Sequence, residues 1–269
     1  MTKTELGCTQ CDWHLQKHNR RWLSSQQAEP FGFDKEAVMR LQKLDNHFWM
    51  RERRFLLEKL LQRYNLQGGR AVELGCGTGS FIPVLERHFD HITAIDAHAE
   101  LLAMAEQQSP KTELIQSDVC QLPLVAHSYS LVLALDVIEH VAPDAFLTEA
   151  RRVAIHGGHL LLSAPSSPRL WSDMDIKAGH RCRYSRDLME QELRQNGWEP
   201  VGYTHYQFLL YPLVWISTQL GTRSDTRVER SPPLWLDRLL GTINRIETLL
   251  SAMVPLPYGS SLFVIAKAV

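Results

Sequence analysis

The chain has 269 residues, 44% of them hydrophobic, and its 29 lysines and arginines against 30 aspartates and glutamates give a net charge of -1. This composition is typical of a soluble globular protein, and the balanced charge lacks the basic excess of a general nucleic-acid binder. The five cysteines, an odd number, argue against a disulfide framework, and the N-terminal stretch has no apolar signal core. We therefore expect a cytoplasmic protein with no nucleic-acid partner.

Residues 1–66 are predicted to form an N-terminal helical cap. Apolar residues recur at three- and four-residue spacing in "DKEAVMRLQKLD" and in "FWMRERRFLLEKLLQRY", which is the pattern of an amphipathic helix. The sequence "NLQGG" follows, with glycines where a helix is expected to end.

A possible metal site lies near the start of the chain, where "CTQCDWHLQKH" offers Cys8, Cys11, His14 and His18. A CxxC pair can be half of a zinc site, but a second pair at zinc-ribbon spacing is missing. We predict no metal ligands in the functional site, and zinc at this N-terminal cluster stays an alternative.

From Arg70 to Ala164 the sequence alternates short apolar strands with helical segments. The predicted strands are "AVEL", "HITAID", "TELIQSD", "SLVLALD" and "HLLLSAP". Such alternation is typical of βαβ units and of a doubly wound parallel sheet. The predicted core spans residues 67–206, a helical insertion spans 207–258, and a final core strand spans 259–269.

Three glycines, Gly75, Gly77 and Gly79, follow the first core strand. In an open α/β sheet ligands bind at the carboxyl ends of the strands, so this turn is the predicted ligand site. A dinucleotide fingerprint would have its third glycine at position 80, where Ser80 stands. Asp96 ends the second strand, where its carboxylate can accept hydrogen bonds from the hydroxyls of a ribose. Asp118 ends the third strand, where its carboxylate can accept a hydrogen bond from the amino group of an adenine.

The stretches "VELGCGTGSF", "AID", "QSDVCQLPL" and "LALDVIEHV", in this order, resemble successive motifs of the class I, Rossmann-like S-adenosylmethionine-dependent methyltransferases. The fourth resembles most the ubiquinone-biosynthesis O-methyltransferase group and its small-molecule relatives. The resemblance implies S-adenosylmethionine as the cofactor and a seven-stranded, mostly parallel sheet whose last strand is antiparallel. It implies cofactor contacts from Glu73, Gly75, Cys76, Gly77, Gly79, Asp96, Ala97, Asp118, Val119 and Asp136.

Methyl transfer to a hydroxyl benefits from a general base, and three residues are candidates for that catalytic role. They are Glu139 and His140 after the fourth strand, and His180 in "GHRCRYS". His140 is the first choice, with capping or loop orientation as the alternative. The "[DN]-P-P-[YFW]" motif of amino-methylating DNA enzymes is absent, which argues against DNA amine methylation but leaves small-molecule N-methylation open.

The segments flanking the core are expected to set the acceptor. His47, Phe48 and Trp49 resemble part of a lid in a bacterial subgroup of these enzymes, and packing on the sheet is the alternative. The stretch 207–258 predicts an apolar acceptor pocket, a dimer face, peripheral membrane contact for a lipid- or glycan-linked acceptor, or plain core packing. Two other functions stay open: a non-catalytic S-adenosylmethionine-binding module and a nicotinamide-dependent oxidoreductase.

Overall fold

A twisted sheet flanked by helices organises the computed structural model, which describes residues 16–18, 21–24, 47–219 and 233–269. The strands are β1 Gln16–His18, β2 Arg21–Leu23, β3 Arg70–Leu74, β4 His91–Asp96, β5 Glu113–Gln116, β6 Tyr129–Leu135, β7 Ala154–Pro165, β8 Trp198–Tyr206 and β9 Ser261–Ala268. The helices are α1 Phe48–Arg63, α2 Ile82–Leu85, α3 Ala99–Gln108, α4 Pro143–Val153, α5 Asp173–Lys177, α6 Arg186–Gln195, α7 Tyr211–Gln219 and α8 Leu234–Met253, with a 3₁₀ turn at Pro168–Leu170.

The strand order is β1-β2-β5-β4-β3-β6-β7-β9-β8. Strand β3 is parallel to β4 and to β6, β4 is parallel to β5, and β6 is parallel to β7. Strand β9 is antiparallel to both β7 and β8. The predicted α/β fold with an antiparallel last strand is therefore confirmed. Strands β3 to β7 all end at the same edge of the sheet, which brings the predicted site residues to one side of the molecule.

The sheet has nine strands among the described residues, where seven were predicted. The two additional strands come from the N-terminal segment: β2 pairs in parallel with β5, and β1 pairs antiparallel with β2. Each of them is only three residues long, which is too short for hydrophobic alternation to identify a strand.

The predicted helix after the glycine turn is shorter than expected. Only Ile82–Leu85 is α-helical, and the chain continues with i-to-i−3 hydrogen bonds from Arg87 to Val84 and from His88 to Leu85. The predicted helix upstream of residue 47, and the Cys8, Cys11 and His14 cluster, lie outside the described residues, as does the side chain of His18.

Helices α1 and α8 pack against each other beside the sheet. Leu56, Leu57, Leu60 and Leu61 of α1 are buried in one of the two hydrophobic clusters of the core. The helices are also joined by ion pairs from Arg51 to Asp237 (2.8 Å) and from Arg245 to Glu52 (2.5 Å). The predicted domain boundaries, including the cap at 1–66 and the insertion at 207–258, stay predictions.

Candidate functional site

The glycine turn has the backbone geometry that glycine allows most readily. Gly75, Gly77 and Gly79 have φ angles of +72°, +55° and +84°. A Cβ on Gly75 would lie 2.5 Å from the Val137 side chain, and one on Gly79 would lie 2.9 Å from that of Ala105. A Cβ on Gly77 would meet no atom of the described residues within 4 Å. Two glycines therefore serve close packing, while Gly77 leaves open space in front of the turn.

Asp96, at the end of β4, holds this turn in place. Its Oδ2 accepts a hydrogen bond from the backbone N–H of Gly77 at 2.8 Å, and its Oδ1 accepts from the backbone N–H of His98 at 2.9 Å. The next residue, Ala97, offers its carbonyl to the Gln116 side chain at 2.9 Å. Asp96, the carboxylate predicted to contact the cofactor, is thus hydrogen-bonded to the glycine turn beside it.

Glu73 lies one strand away and is the most strongly perturbed acid of this half. Its side chain is buried in β3, and its Oε2 has no hydrogen-bond partner among the described residues. Burial, together with the nearby Asp96 charge, raises the pKa of Glu73 to about 8. Burial and the same two acids raise the pKa of the neighbouring Cys76 thiol, which keeps it neutral.

Asp118 and Val119 follow β5 at the same edge. The Asp118 Oδ1 accepts from the backbone N–H of Cys120 at 2.8 Å, which orders the turn, and Val119 is buried. The structure therefore brings the ends of β3, β4 and β5 together around one side of the sheet edge, as the predicted cofactor residues require.

On the other side, Asp136 directly follows β6, has a φ of +57° and pairs with a cation that was not predicted from the sequence. Arg53 of α1, whose side chain is buried, donates to Asp136 Oδ2 and to the Ser163 hydroxyl, and the Ser163 hydroxyl donates to Asp136 Oδ1 at 2.9 Å. Burial by itself would raise the pKa of Asp136, but the Arg53 guanidinium outweighs it and lowers that pKa. The predicted cofactor residue Asp136 is thus a neutralised, hydrogen-bonded carboxylate.

The three predicted catalytic residues form one cluster just beyond Asp136. One ligand atom from each of Glu139, His140 and His180 lies within 4.8 Å of the others. The two imidazole centroids are 4.9 Å apart in an edge-to-face arrangement. Glu139 is fully buried, and neither of its carboxyl oxygens has a hydrogen-bond partner among residues 47–219 and 233–269.

The environments of these groups differ in a way that affects proton transfer. Burial and the Asp136 charge raise the pKa of Glu139 well above its ordinary value, which favours the neutral acid. Burial and the adjacent His180 lower the pKa of His140 to about 4. His180 instead has its Nδ1 2.9 Å from Asp175, a buried carboxylate that also pairs with Arg183 at 2.8 Å.

Arg53 and Asp175 are thus the site residues that sequence reasoning missed. Asp175 carried a local signal, since "SDMDIKAGH" places an acid five residues before His180. Arg53 lies 83 residues before its partner Asp136, and no local pattern announces that pairing.

Comparisons with known proteins give a consistent family. Residues 72–162 match a family model described as "Methyltransferase domain". A Mycobacterium tuberculosis protein described as a probable S-adenosylmethionine-dependent methyltransferase is 26% identical over 157 residues, which cover 57% of each chain. The phosphatidylethanolamine N-methyltransferase of Cereibacter sphaeroides is 32% identical over 105 residues, covering 36% of this chain and 51% of the relative.

A ubiquinone biosynthesis O-methyltransferase of Xylella fastidiosa is 27% identical over 116 residues, covering 40% of this chain and 46% of the relative. The chain therefore spans about half the length of the curated relatives it matches. Among solved structures, Haemonchus contortus phosphoethanolamine N-methyltransferase 2 in complex with S-adenosyl-L-methionine superposes with a TM-score of 0.59 at 13% identity. That superposition covers 88% of this chain and 58% of the neighbour, and it supports the fold.

Proposed function

We propose, since the chain belongs to the class I S-adenosylmethionine-dependent methyltransferases, that it transfers a methyl group to a hydroxyl of a small or lipid- or glycan-linked acceptor. The family and its cofactor, S-adenosylmethionine, agree with the sequence prediction and are confirmed. The acceptor class, the atom methylated and the site residues are proposals. An amine acceptor stays the alternative, because one relative is a phosphatidylethanolamine N-methyltransferase.

The observation that carries the proposal is the pairing of an unpartnered buried acid with open space at the glycine turn. Within the described part of the chain, Glu73 Oε2 has no hydrogen-bond partner, and no atom lies within 4 Å of a Cβ built on Gly77. The ammonium of a methionine tail would supply the missing partner of Glu73, and the open space admits the backbone of that tail. S-adenosylmethionine, when bound, supplies an electrophilic methyl group on a positively charged sulfur.

The remaining predicted contacts fit the nucleoside part. Asp96 Oδ1 contacts both the backbone N–H and the Nδ1 of His98, whereas Oδ2 has one backbone hydrogen bond and can accept a further one from a ribose hydroxyl beside Ala97. Asp118 and Val119 are proposed to face the adenine, and Gly75, Gly79 and Cys76 shape the turn. Asp136, neutralised by Arg53, is proposed to border the methionine end.

The acceptor is proposed to lie against the Glu139, His140 and His180 cluster. Among these three, the environment favours His180 as the proton acceptor, because Asp175 at its Nδ1 orients the ring and leaves Nε2 available. His140, with a pKa of about 4, is a weak base at neutral pH. This reverses the order in which the sequence analysis ranked the two histidines.

The exposed surface of α7 and α8 favours an acceptor in, or attached to, a membrane. Helix α8 is inverted in the sense that its polar face is buried and its apolar face is exposed. The buried polar residues are Asn244, Glu247, Thr248 and Ser251, and the apolar side is its outer face. This outer face consists of Leu234, Trp235, Leu239, Ile246, Leu249, Leu250 and Met253, which are 42–78% exposed. Helix α7 adds exposed Leu213, Trp215 and Ile216.

An exposed apolar patch with tryptophans is typical of proteins that lie on a membrane surface. None of the described helices is long and apolar enough to cross a bilayer. We propose a protein on the cytoplasmic side that contacts the membrane peripherally through residues 207–258.

Ligand binding and turnover test the proposal separately. In thermal unfolding, S-adenosylmethionine and S-adenosylhomocysteine are expected to stabilise the chain and NAD is not; stabilisation by NAD alone would overturn the proposed function. Asp96→Asn removes charge-assisted hydrogen bonds of about 1.5–3 kcal/mol and is expected to weaken cofactor binding about 10- to 150-fold.

Formation of S-adenosylhomocysteine is then measured with phenols, alcohols and amines, each free or on a lipid or glycan carrier. Turnover with a hydroxyl acceptor is expected. Tight cofactor binding without turnover of any acceptor would instead favour the non-catalytic binding module.

A further inference from the structure

The Glu139, His140 and His180 cluster has the composition of a metal site rather than that of a simple base. It offers two imidazoles and one carboxylate, a donor set that zinc and other first-row divalent ions bind in proteins. The three donor atoms lie within 4.8 Å of one another. A tetrahedral ion with bonds of about 2.0–2.2 Å needs donors roughly 3.4 Å apart, so small side-chain rotations close the site.

Of the carboxyl groups around the cluster, that of Glu139 has no ion-pair partner among the described residues. Asp136 is paired with Arg53, and Asp175 is paired with Arg183. Glu139 is fully buried, and both of its oxygens lack a hydrogen bond to any residue that the structure describes, which is costly for a polar group away from water. A cation between Glu139 and the two imidazoles would give it a partner.

The shell around His180 matches that of a metal-bound histidine. Its Nδ1 contacts the Asp175 carboxylate at 2.9 Å, and this contact fixes the tautomer and directs Nε2 away from Asp175. Metal-ligating histidines commonly donate their second ring N–H to a carboxylate in this way. Asp175 is itself held by the backbone N–H of Ser172 at 2.8 Å and by Arg183.

We propose that Glu139, His140 and His180 bind a first-row divalent cation, with zinc as the probe ion and Asp175 as the residue that orients His180. The histidines are partly exposed, so the ion has a path to the buried carboxylate. If the proposed methyltransferase function holds, the ion would lower the pKa of an acceptor hydroxyl, and His180 would then act as its ligand in place of accepting the proton. Binding of the ion itself depends on neither cofactor nor acceptor.

The test is a zinc titration of the chelator-treated full chain by calorimetry, without cofactor. Cys8→Ser/Cys11→Ser serves as the parent, so that thiolates near the N-terminus contribute nothing. One zinc per chain is expected. Glu139→Gln and His180→Ala are expected to weaken binding at least tenfold, Asp175→Asn about 10- to 100-fold. His156→Ala, which removes an exposed imidazole elsewhere, is expected to bind as the parent does.

Glu139→Gln keeps the size of the side chain, and its S-adenosylmethionine-dependent thermal shift reports that the variant is folded. No stoichiometric zinc binding by the parent, or equal affinity in the parent and in folded Glu139→Gln, would overturn the proposed metal site. Neither result would bear on the proposed methyltransferase, which is judged by cofactor binding and turnover.

Discussion

The proposed site has two halves that differ in composition: one lies at the ends of β3, β4 and β5, and the other at the ends of β6 and β7. The first half consists of a glycine turn and of acids that hold backbone N–H groups, such as Asp96 on Gly77 and Asp118 on Cys120. The second half consists of ionisable side chains, among them the buried Arg53 and Glu139 and the half-buried Asp136. The two halves are in contact where the Val137 side chain packs against Gly75.

This difference has a physical consequence for each half. A ligand held by a turn is recognised through backbone shape, so that half depends on the absence of side chains. A half built from buried charges depends on their exact pairing, because an unpaired buried charge is costly. We therefore expect substitutions in the second half to act mainly on folding, whereas those in the first half also act on cofactor binding.

The largest expected effect comes from Arg53, because its removal leaves Asp136 without its counter-ion. We expect Arg53→Met to lower the free energy of unfolding by about 3–5 kcal/mol, measured by urea denaturation. The double variant Arg53→Met/Asp136→Asn is expected to recover much of that loss, since asparagine tolerates the positive φ of position 136. Equal stabilities of the single and double variants would show that the pair does not control stability.

The pH dependence of stability tests the cofactor half through Glu73. Its pKa is about 8 in the folded chain against 4.5 ordinarily, so the unfolded chain loses this proton first. The free energy of unfolding contributed by Glu73 is therefore fully present below about pH 4.5 and is lost as the pH rises towards 8. Glu73→Gln is expected to remove that part of the decline, seen as a flatter profile of thermal unfolding.

Binding gives a second readout of the same group. An ammonium beside Glu73 would lower its pKa, so S-adenosylmethionine is expected to release up to one proton at pH 7. Calorimetry in buffers of different ionisation enthalpy measures this release. Glu73→Gln should release less, and equal release from both proteins would rule out Glu73 as the ammonium partner.

Substitutions of Gly75 and Gly77, which lie in the same turn, distinguish the effect of close packing from the effect of space for a ligand. Gly75→Ala combines a left-handed φ, costing about 1–2 kcal/mol, with a steric clash, costing about 1–3 kcal/mol, because the new Cβ would lie 2.5 Å from the Val137 side chain. Gly77→Ala carries only the first cost, because its Cβ would enter open space. We expect Gly75→Ala to be the less stable protein in urea, while Gly77→Ala weakens S-adenosylmethionine binding at least tenfold.

Relief of the overlap provides the control for the first glycine. Gly75→Ala/Val137→Ala is expected to be more stable than Gly75→Ala relative to its own Val137→Ala background. Unchanged cofactor affinity in Gly77→Ala would mean that the open space at this position is not where the cofactor lies.

How far the sequence predicts each half follows from the same difference. The glycine turn and the acids at strand ends occupy fixed places in a βαβ pattern, so Gly75, Asp96 and Asp118 could be located from spacing. Arg53 could not, because its role arises when α1 packs across the sheet and meets a residue 83 positions away. Strands β1 and β2, three residues each, were missed because so short a run carries no periodicity.

The smallest effect on stability is expected at the outer face of α8, which lies outside both halves. Leu234→Ser/Trp235→Ser alters side chains that are 77% and 68% exposed, so we expect a change in unfolding free energy within about 0.5 kcal/mol. If this face contacts a membrane, the same variant loses apolar area at the bilayer interface. Co-sedimentation with phosphatidylethanolamine–phosphatidylglycerol vesicles should then fall, while Ile155→Ser/Val201→Ser, changed at exposed apolar positions elsewhere, sediments as the parent does. Equal sedimentation of all three proteins would remove α8 as the membrane contact and leave its inverted face to another partner.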